Sequence, residues 1–231
     1  MNRFEMHAHT SECDKYARLG GAELVRLYDE AGYRGMVITD HYFSLFYEWF
    51  AEELADADHR RIIERYLRGY YAARNEAEKR NFTVLCGAEV RFDHTINDFL
   101  VYGLEEEDLF RLPLLNRLRN VEELVETLPE HAVVVQAHPF RDNMTVMSPT
   151  SLFGIEVHNG GTDAFRNQMA RMYAEHYGKA MTSGSDIHHI KALASGGIAT
   201  AREITCAGDL VAVLRSGAYS LIADGQEERI H

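Results

Sequence analysis

The chain has 231 residues, of which 46% are apolar and 26% are charged, and its formal net charge is −12. This length and composition are typical of a single globular domain over residues 1–231, and no apolar run approaches the roughly 18 to 20 residues of a membrane span. The acidic balance makes a polynucleotide a less favoured partner, because proteins that bind phosphate backbones usually carry a basic patch. With three widely spaced cysteines and no basic, hydrophobic leader, we expect a cytoplasmic protein without disulfides or membrane contact.

Strand-length apolar runs alternate with amphipathic segments of helical length along the chain. The patterns predict strands at residues 3–9, 35–40, 83–91, 98–103, 132–137, 153–158, 179–183 and 197–203, and helices at 22–32, 57–80, 120–129, 163–177 and 208–216. Repeated β-α units of this length favour a parallel sheet, either open or closed into a barrel. With about seven core strands, we favour a barrel that is smaller and less regular than an eight-stranded one.

The first predicted strand carries two histidines, His7 and His9, two residues apart. Side chains at i and i+2 of a strand lie on one face about 6 to 7 Å apart, so both could bind one metal ion. Taken alone, this pair is equally compatible with a structural role.

Imidazole and carboxylate side chains also follow the ends of four further apolar runs. In chain order these are Asp40-His41, Glu89, His138, and Asp186 with His188. The carboxyl ends of parallel strands share one end of a sheet or barrel, so residues far apart in sequence meet there. The pattern therefore predicts a metal-binding cluster at that end.

Five short motifs together resemble the PHP (polymerase and histidinol phosphatase) family of metal-dependent phosphoesterases. They are His7-Ala8-His9-Thr10-Ser11, Thr39-Asp40-His41, Gly87-Ala88-Glu89, Ala137-His138-Pro139 and Ser185-Asp186-Ile187-His188. The resemblance implies an α/β fold in one domain, a distorted (β/α)7 barrel. It also implies up to three divalent metal ions, Zn, Mn or Fe, at the strand C-termini.

The resemblance further implies how the ligands are divided among the metals. The implied ligands are His7, His9, Glu89 and Asp186 for the first metal, His41 and His188 for the second, and His138 for the third. Glu89 would also bridge to another metal. Glu89 and Asp186 are therefore the candidate catalytic carboxylates.

Two positions differ from the histidines that are usual in the family. Asp14 stands where an imidazole often follows the first motif, and it is an acceptable ligand for the second metal. Asp98 stands in the strand after Glu89, with His94 as a nearby alternative. Carboxylates in place of imidazoles favour Mn²⁺ or Fe²⁺ as well as Zn²⁺.

Arg141, three residues after His138, is the first candidate for a catalytic and phosphate-binding cation, and Arg91 is the second. A guanidinium group matches phosphate in a bidentate fork, although either arginine could instead form an ordinary ion pair. His158 and the adjacent Asn159, at the end of another predicted strand, are candidates for contacting the substrate. His158 is also a candidate general acid, a role that metal-bound water could fill instead.

These residues predict a phosphatase that hydrolyses a small phosphorylated metabolite by metal-activated water. Histidinol phosphate is the family's obvious candidate substrate. The alternatives are a phosphodiesterase or 5′ to 3′ nuclease on short nucleotides, and a non-catalytic metal-binding barrel. The oligomeric state is not predicted.

Overall fold

A computed structural model describes residues 1–230, so His231, the last residue of the predicted domain, lies outside the described residues. The strands are β1 (Asn2–Ala8), β2 (Gly35–Ile38), β3 (His41–Tyr42), β4 (Thr83–Arg91), β5 (Asp98–Leu104), β6 (Val133–Gln136), β7 (Gly154–Asn159), β8 (Ala180–Gly184), β9 (Gly196–Thr200), β10 (Ser220–Ala223) and β11 (Gln226–Arg229). The helices are α1 (Gly21–Glu30), α2 (Ser44–Trp49), α3 (Ala51–Leu54), α4 (His59–Tyr66), α5 (Arg68–Ala77), α6 (Glu106–Arg111), α7 (Val121–Thr127), α8 (Ala164–His176) and α9 (Ala207–Ser216). Over residues 1–230, none of these helices combines the length and apolar character needed to cross a membrane.

The strands form one curled sheet in the order β11-β10-β9-β1-β2-β4-β5-β6-β7-β8, with β3 paired to β4. Strand β8 packs back against β1 and β9, and an isolated bridge joins Ala8 to Ile187 just beyond β8. The predicted α/β class is therefore confirmed as a curled half-barrel. The closed (β/α)7 barrel and the single domain stay predictions.

The sheet is mixed, so the expectation of a parallel sheet is wrong in part. Strands β1, β2 and β4 run parallel, as do β6, β7 and β8, but β5 is antiparallel to both β4 and β6. The connection over residues 92–97 is too short for the crossover that a parallel neighbour requires, so β5 runs back along β4. The carboxyl ends of β1, β4, β6 and β8 still meet at one end of the curl.

Strand β1 is buried on both faces. Its side chains alternate between the faces, so core residues lie on one face and candidate site residues on the other. Met6 and Ala8 belong to the hydrophobic core. Glu5 and His7 point to the opposite face together with His9, which follows the strand, and all three are fully buried. On β1, the face toward the candidate ligands is therefore polar and the opposite face is apolar.

The helix predicted over residues 57–80 is interrupted at Leu67, where α4 ends and α5 begins. The Tyr66 hydroxyl donates to the carbonyl of Asp40 over 2.6 Å. The backbone of Gly69 lies so close to the segment that follows β1 that a Cβ there would stand 1.8 Å from Oγ1 of Thr10. The break thus lets α5 approach the strand ends that carry the site.

Candidate metal centre

The structure brings all nine predicted metal ligands together in four overlapping groups. Within each group the candidate ligand atoms lie within 4.8 Å of one another. The groups are His9, Asp14, His41 and His188; His7, His9 and Glu89; His7, His138 and Asp186; and Glu89, Asp98 and His138. His94, the alternative to Asp98, is exposed, and its Nε2 bonds to the carbonyl of Arg119 away from these groups.

The Glu89 carboxylate lies at the centre of the cluster and is fully buried. Its Oε2 is 3.3 Å from Nε2 of His7, 3.3 Å from Nε2 of His9 and 3.0 Å from Nε2 of His41. Its Oε1 is 3.0 Å from Nε2 of His138. One carboxylate therefore contacts four imidazoles, which is the arrangement that a ligand shared between metals needs.

Asp14 completes a second group at the end of β1. Its Oδ2 lies 2.5 Å from Nδ1 of His41, 3.4 Å from Nε2 of His188 and 3.7 Å from Nδ1 of His9. The rings of His41 and His188 each stack on the ring of His9, with centroids 4.3 Å apart. Asp14 thus stands where a fourth ligand would face three imidazoles.

Asp98 reaches the third group through a contact with His138, whose Nε2 is 3.8 Å from Oδ2 of Asp98. Both oxygens of Asp98 also accept hydrogen bonds of 2.6 Å from the guanidinium of Arg91. The predicted phosphate-binding Arg91 is therefore paired with a candidate metal ligand. A cation bound in this group would share Asp98 with the guanidinium.

Two of the candidate ligands stand on left-handed backbone. The φ angles are +27° at His138 and +49° at Asp186, a region that costs a residue other than glycine on the order of 1–3 kcal/mol. The backbone N–H of His138 donates to Oε2 of Glu156 over 3.0 Å and helps to hold this conformation. Both residues follow the end of a strand, and in both the left-handed backbone directs the side chain toward the cluster.

Several buried polar atoms of the cluster lack a hydrogen-bond partner within residues 1–230, namely Nε2 of His7, both ring nitrogens of His9, Oε2 of Glu89 and Nδ1 of His138. Buried polar atoms are nearly always paired, so unpaired nitrogens and carboxylate oxygens facing one another need a common partner. In a tetrahedral site with bonds of about 2.0–2.2 Å, ligand atoms lie roughly 3.3–3.6 Å apart. The 3.3 to 3.5 Å contacts of His7 and His9 with Glu89 and Asp186 fit that spacing. The residues therefore fit divalent metal ions.

The charges of the cluster shift its pKa values in opposite directions. Burial by itself lowers the pKa of His7, but the carboxylates of Glu156 and Glu89 raise it well above its ordinary value. Burial likewise opposes protonation of His41, yet Glu89 and Asp14 raise its pKa well above the usual range. The pKa of Glu89 falls well below its ordinary value, because His7 and His41 outweigh the effect of burial. Without metal, the cluster therefore retains protons that metal binding must release.

We expect the affinity for Zn²⁺ to rise with pH by at least about tenfold per pH unit between about pH 6.5 and 8. A bound metal needs neutral imidazoles. The raised pKa values of His7 and His41 keep these two imidazoles protonated at pH values above those at which a histidine usually loses its proton. Competition with a chromophoric chelator at several pH values measures this slope. Calorimetry in two buffers of different ionisation enthalpy counts the protons released, and an affinity independent of pH would contradict the expectation.

The predicted phosphate ligand Arg141 lies beside the cluster. Its Nη2 donates to Oδ2 of Asp186 over 2.6 Å and to Oδ1 of Asn159 over 2.9 Å. Nδ2 of Asn159 donates to Oε2 of Glu156 over 2.9 Å. Asn159 is therefore placed to orient Arg141.

His158 has a different environment. Its Nδ1 lies 3.4 Å from Nδ2 of Asn167, and its Nε2 accepts from the backbone N–H of Asp224 over 3.4 Å. These residues line a second cleft together with Arg171 and Glu228. The predicted acid role of His158 thus receives no support from a contact with the cluster.

Two buried carboxylates that support the cluster were not predicted from the sequence. Glu156 accepts from Nδ1 of His7 over 2.8 Å, which leaves Nε2 of His7 facing the cluster. Glu5 accepts from the backbone N–H groups of His7 and Ser185 over 2.8 Å each and so ties the end of β1 to the residue after β8. An acidic residue inside an otherwise apolar strand, as in Ile155-Glu156-Val157, is the sequence signal that could have identified Glu156.

Comparison with known proteins gives the class of this fold. Residues 165–219 match the profile of the PHP-associated family, PHP_C. A two-domain protein from Bacteroides vulgatus, containing a predicted PHP-like metal-dependent phosphoesterase, has a TM-score of 0.66 and 18% identity. That alignment covers 98% of this chain and 66% of the other, so this chain spans less than two thirds of that protein.

Two further solved structures share the fold. A protein from Bifidobacterium adolescentis, assigned as a metal-dependent phosphoesterase, has a TM-score of 0.57 and 15% identity over 92% of this chain and 95% of that one. Endonuclease Q, in complex with a duplex that carries an abasic lesion, has a TM-score of 0.58 and 11% identity over 93% of this chain and 56% of that one. A comparison with curated protein sequences found no match.

The chain thus shares its fold with a protein that contains a predicted PHP-like metal-dependent phosphoesterase and with one assigned as a metal-dependent phosphoesterase. The resemblance to the PHP family that the five motifs predict is confirmed.

Proposed function

We propose that the protein is a metal-dependent phosphatase that hydrolyses the phosphate monoester of a small metabolite. The observation that carries the proposal is the buried Glu89 carboxylate in contact with four imidazoles, next to a cleft of about 690 Å³. Asp186 and His188 belong to the cluster and also line this cleft. The volume lies within the range of sites for small molecules.

Bound divalent ions would supply a water of lowered pKa and positive charge for the phosphoryl oxygens. The chain's own part is to fix their ligands, through Glu89 and the strained backbone of His138 and Asp186. Arg141 would bind the phosphoryl group, because its Nε and Nη1 donors have no partner within residues 1–230. Asn159 and Asp186 accept hydrogen bonds from the third nitrogen, Nη2, and so fix the orientation of the guanidinium plane.

A phosphodiesterase or nuclease on short nucleotides is the second candidate. The similarity to endonuclease Q, whose solved complex contains a DNA duplex, favours it. Against it stands the net charge of −12, since tracking a nucleic-acid backbone requires a groove rich in lysine and arginine.

The decisive experiment combines elemental analysis with phosphoester turnover. We expect up to three Zn, Mn or Fe ions per chain, and p-nitrophenyl phosphate hydrolysis that chelation removes and readdition of metal restores. A parallel assay with bis(p-nitrophenyl) phosphate and a single-stranded oligonucleotide separates the two candidates. Faster turnover of the diester or the oligonucleotide would favour the second.

A double variant, His9→Ala with Asp186→Ala, provides the control for contaminating phosphatases. Wild-type turnover by this variant without bound metal would overturn the proposal. Tight metal binding by the native protein with no turnover of any phosphoester would instead indicate a non-catalytic metal-binding barrel.

A further inference from the structure

The cleft beside the metal centre has walls made by two segments that continue directly from candidate ligands. One segment leads from Asp14 to Arg18 and Leu19, and the other from His188 to the short 3-10 helix Ile190–Ala192. The backbone N–H of Arg18 donates to the carbonyl of His188 over 2.8 Å and joins the two segments. A substrate whose phosphate reaches the cluster would therefore lie along both.

The charge on these walls is opposite to that of the protein as a whole. Arg18, Arg141 and Lys191 line the cleft, and Asp186 is the one carboxylate among its described lining residues. Asp186 is already engaged by Arg141 and by the histidines of the cluster. Arg18 and Lys191 are exposed and form no salt bridge with any residue in 1–230.

Within residues 1–230, other exposed cations such as Arg111 and Arg202 also form no salt bridge. Arg18 and Lys191 differ from them in lining the cleft beside the cluster, together with Arg141. In a chain with 36 acidic and 24 basic side chains, three cations on the wall of one cleft create a local positive field that attracts an anionic ligand.

The remaining surface of the cleft is largely apolar. Leu19, Ile190 and Ala192 contribute to it, and Ile190 is 52% exposed. Exposed apolar groups between charged ones suit a ligand with a hydrophobic body and charged ends.

From these observations we infer that the substrate carries a second anionic group, a carboxylate or a further phosphate, which binds Arg18 and Lys191 while its apolar body contacts Leu19 and Ile190. This inference rests on the proposed phosphatase function, since it places the scissile phosphate at the cluster. A substrate with a positively charged body, such as histidinol phosphate, would meet like charge at Arg18 and Lys191 and is disfavoured.

The test compares binding and turnover in the metal-loaded protein. The binding probes are benzylphosphonate, 4-carboxybenzylphosphonate and p-xylylenediphosphonate, titrated by calorimetry. The substrates are phenyl phosphate, 4-carboxyphenyl phosphate and 4-(aminomethyl)phenyl phosphate. The variant is Arg18→Gln with Lys191→Gln, and its matched control is Arg111→Gln with Arg202→Gln, which removes the same charge from exposed arginines outside the cleft.

We expect the probes with a second anion to bind about tenfold more tightly than benzylphosphonate, an advantage that the cleft variant loses and the control variant keeps. The tighter binder of the two probes that carry a second anionic group identifies that group as carboxylate or phosphate. For turnover, we expect 4-carboxyphenyl phosphate to show the lowest KM and the aminomethyl compound the highest. Equal binding of all three phosphonates, or an equal loss for all three in the cleft variant, would overturn the subsite. Absence of turnover with all phosphate esters would overturn the phosphatase proposal, while the phosphonate affinities still decide the subsite.

Discussion

Glu89→Gln is expected to reduce phosphoester turnover at least about a thousandfold and to remove metal from more than one position. The carboxylate contacts His7, His9 and His41 through one oxygen and His138 through the other. An amide retains the shape but replaces one of these oxygens with a donor that cannot bind a cation. Elemental analysis and steady-state kinetics of the purified variant measure both losses.

The control for this change is Glu107→Gln in helix α6, which removes the same charge from an exposed side chain. We expect that variant to keep native metal content and turnover. If Glu89→Gln retained the full metal content, or lost turnover no more than Glu107→Gln, the central role of Glu89 would be wrong.

Gly69→Ala is expected to lower the free energy of unfolding by about 1–3 kcal/mol or more, although alanine is the better helix former. The new methyl group would stand 1.8 Å from Oγ1 of Thr10 and 2.8 Å from Oδ2 of Asp40. Thr10 donates to Asp40 through both its backbone N–H and its hydroxyl, over 2.6 and 2.7 Å, so it has little freedom to move. Chemical denaturation of the metal-free protein measures the loss.

Gly208→Ala provides the matched comparison in helix α9. A Cβ at Gly208 would have Sγ of Cys206 as its nearest neighbour, at an ordinary contact distance of 3.7 Å. That variant should be neutral or stabilised by up to about 1 kcal/mol. Equal stability of the two variants would show that the contact between α5 and Thr10 relaxes freely.

The strand ends were the part of the molecule that the sequence predicted best. His7, Glu89 and His138 each terminate or interrupt a buried apolar run. A run of that kind predicts a strand and also predicts that the residues at its carboxyl end lie at one end of the sheet. Asp14 and Asp98 depended on resemblance to a family, and the structure brings both to the cluster.

The break in the long helix escaped prediction because it depends on a tertiary contact. The long helical pattern over residues 57–80 gives no sign of the break at Leu67, because the approach of Gly69 to Thr10 is a contact between distant segments. The β10–β11 hairpin did have a local signal in Asp224-Gly225, whose φ angles of +49° and +77° are those of a tight two-residue turn. That signal lies in a short, polar C-terminal segment, where the hydrophobic pattern is weak.

The left-handed backbone at His138 and Asp186 reflects a trade-off between the stability of the fold and the placement of chemical groups. Glycine at either position would relieve the strain and favour a more stable metal-free chain, but it would also delete a candidate metal ligand. The chain therefore gives up folding stability in order to keep chemical groups in place. Metal that binds only the folded cluster would return that stability through mass action. If the proposed function holds, a shortage of metal would lower the stability of the fold together with its activity.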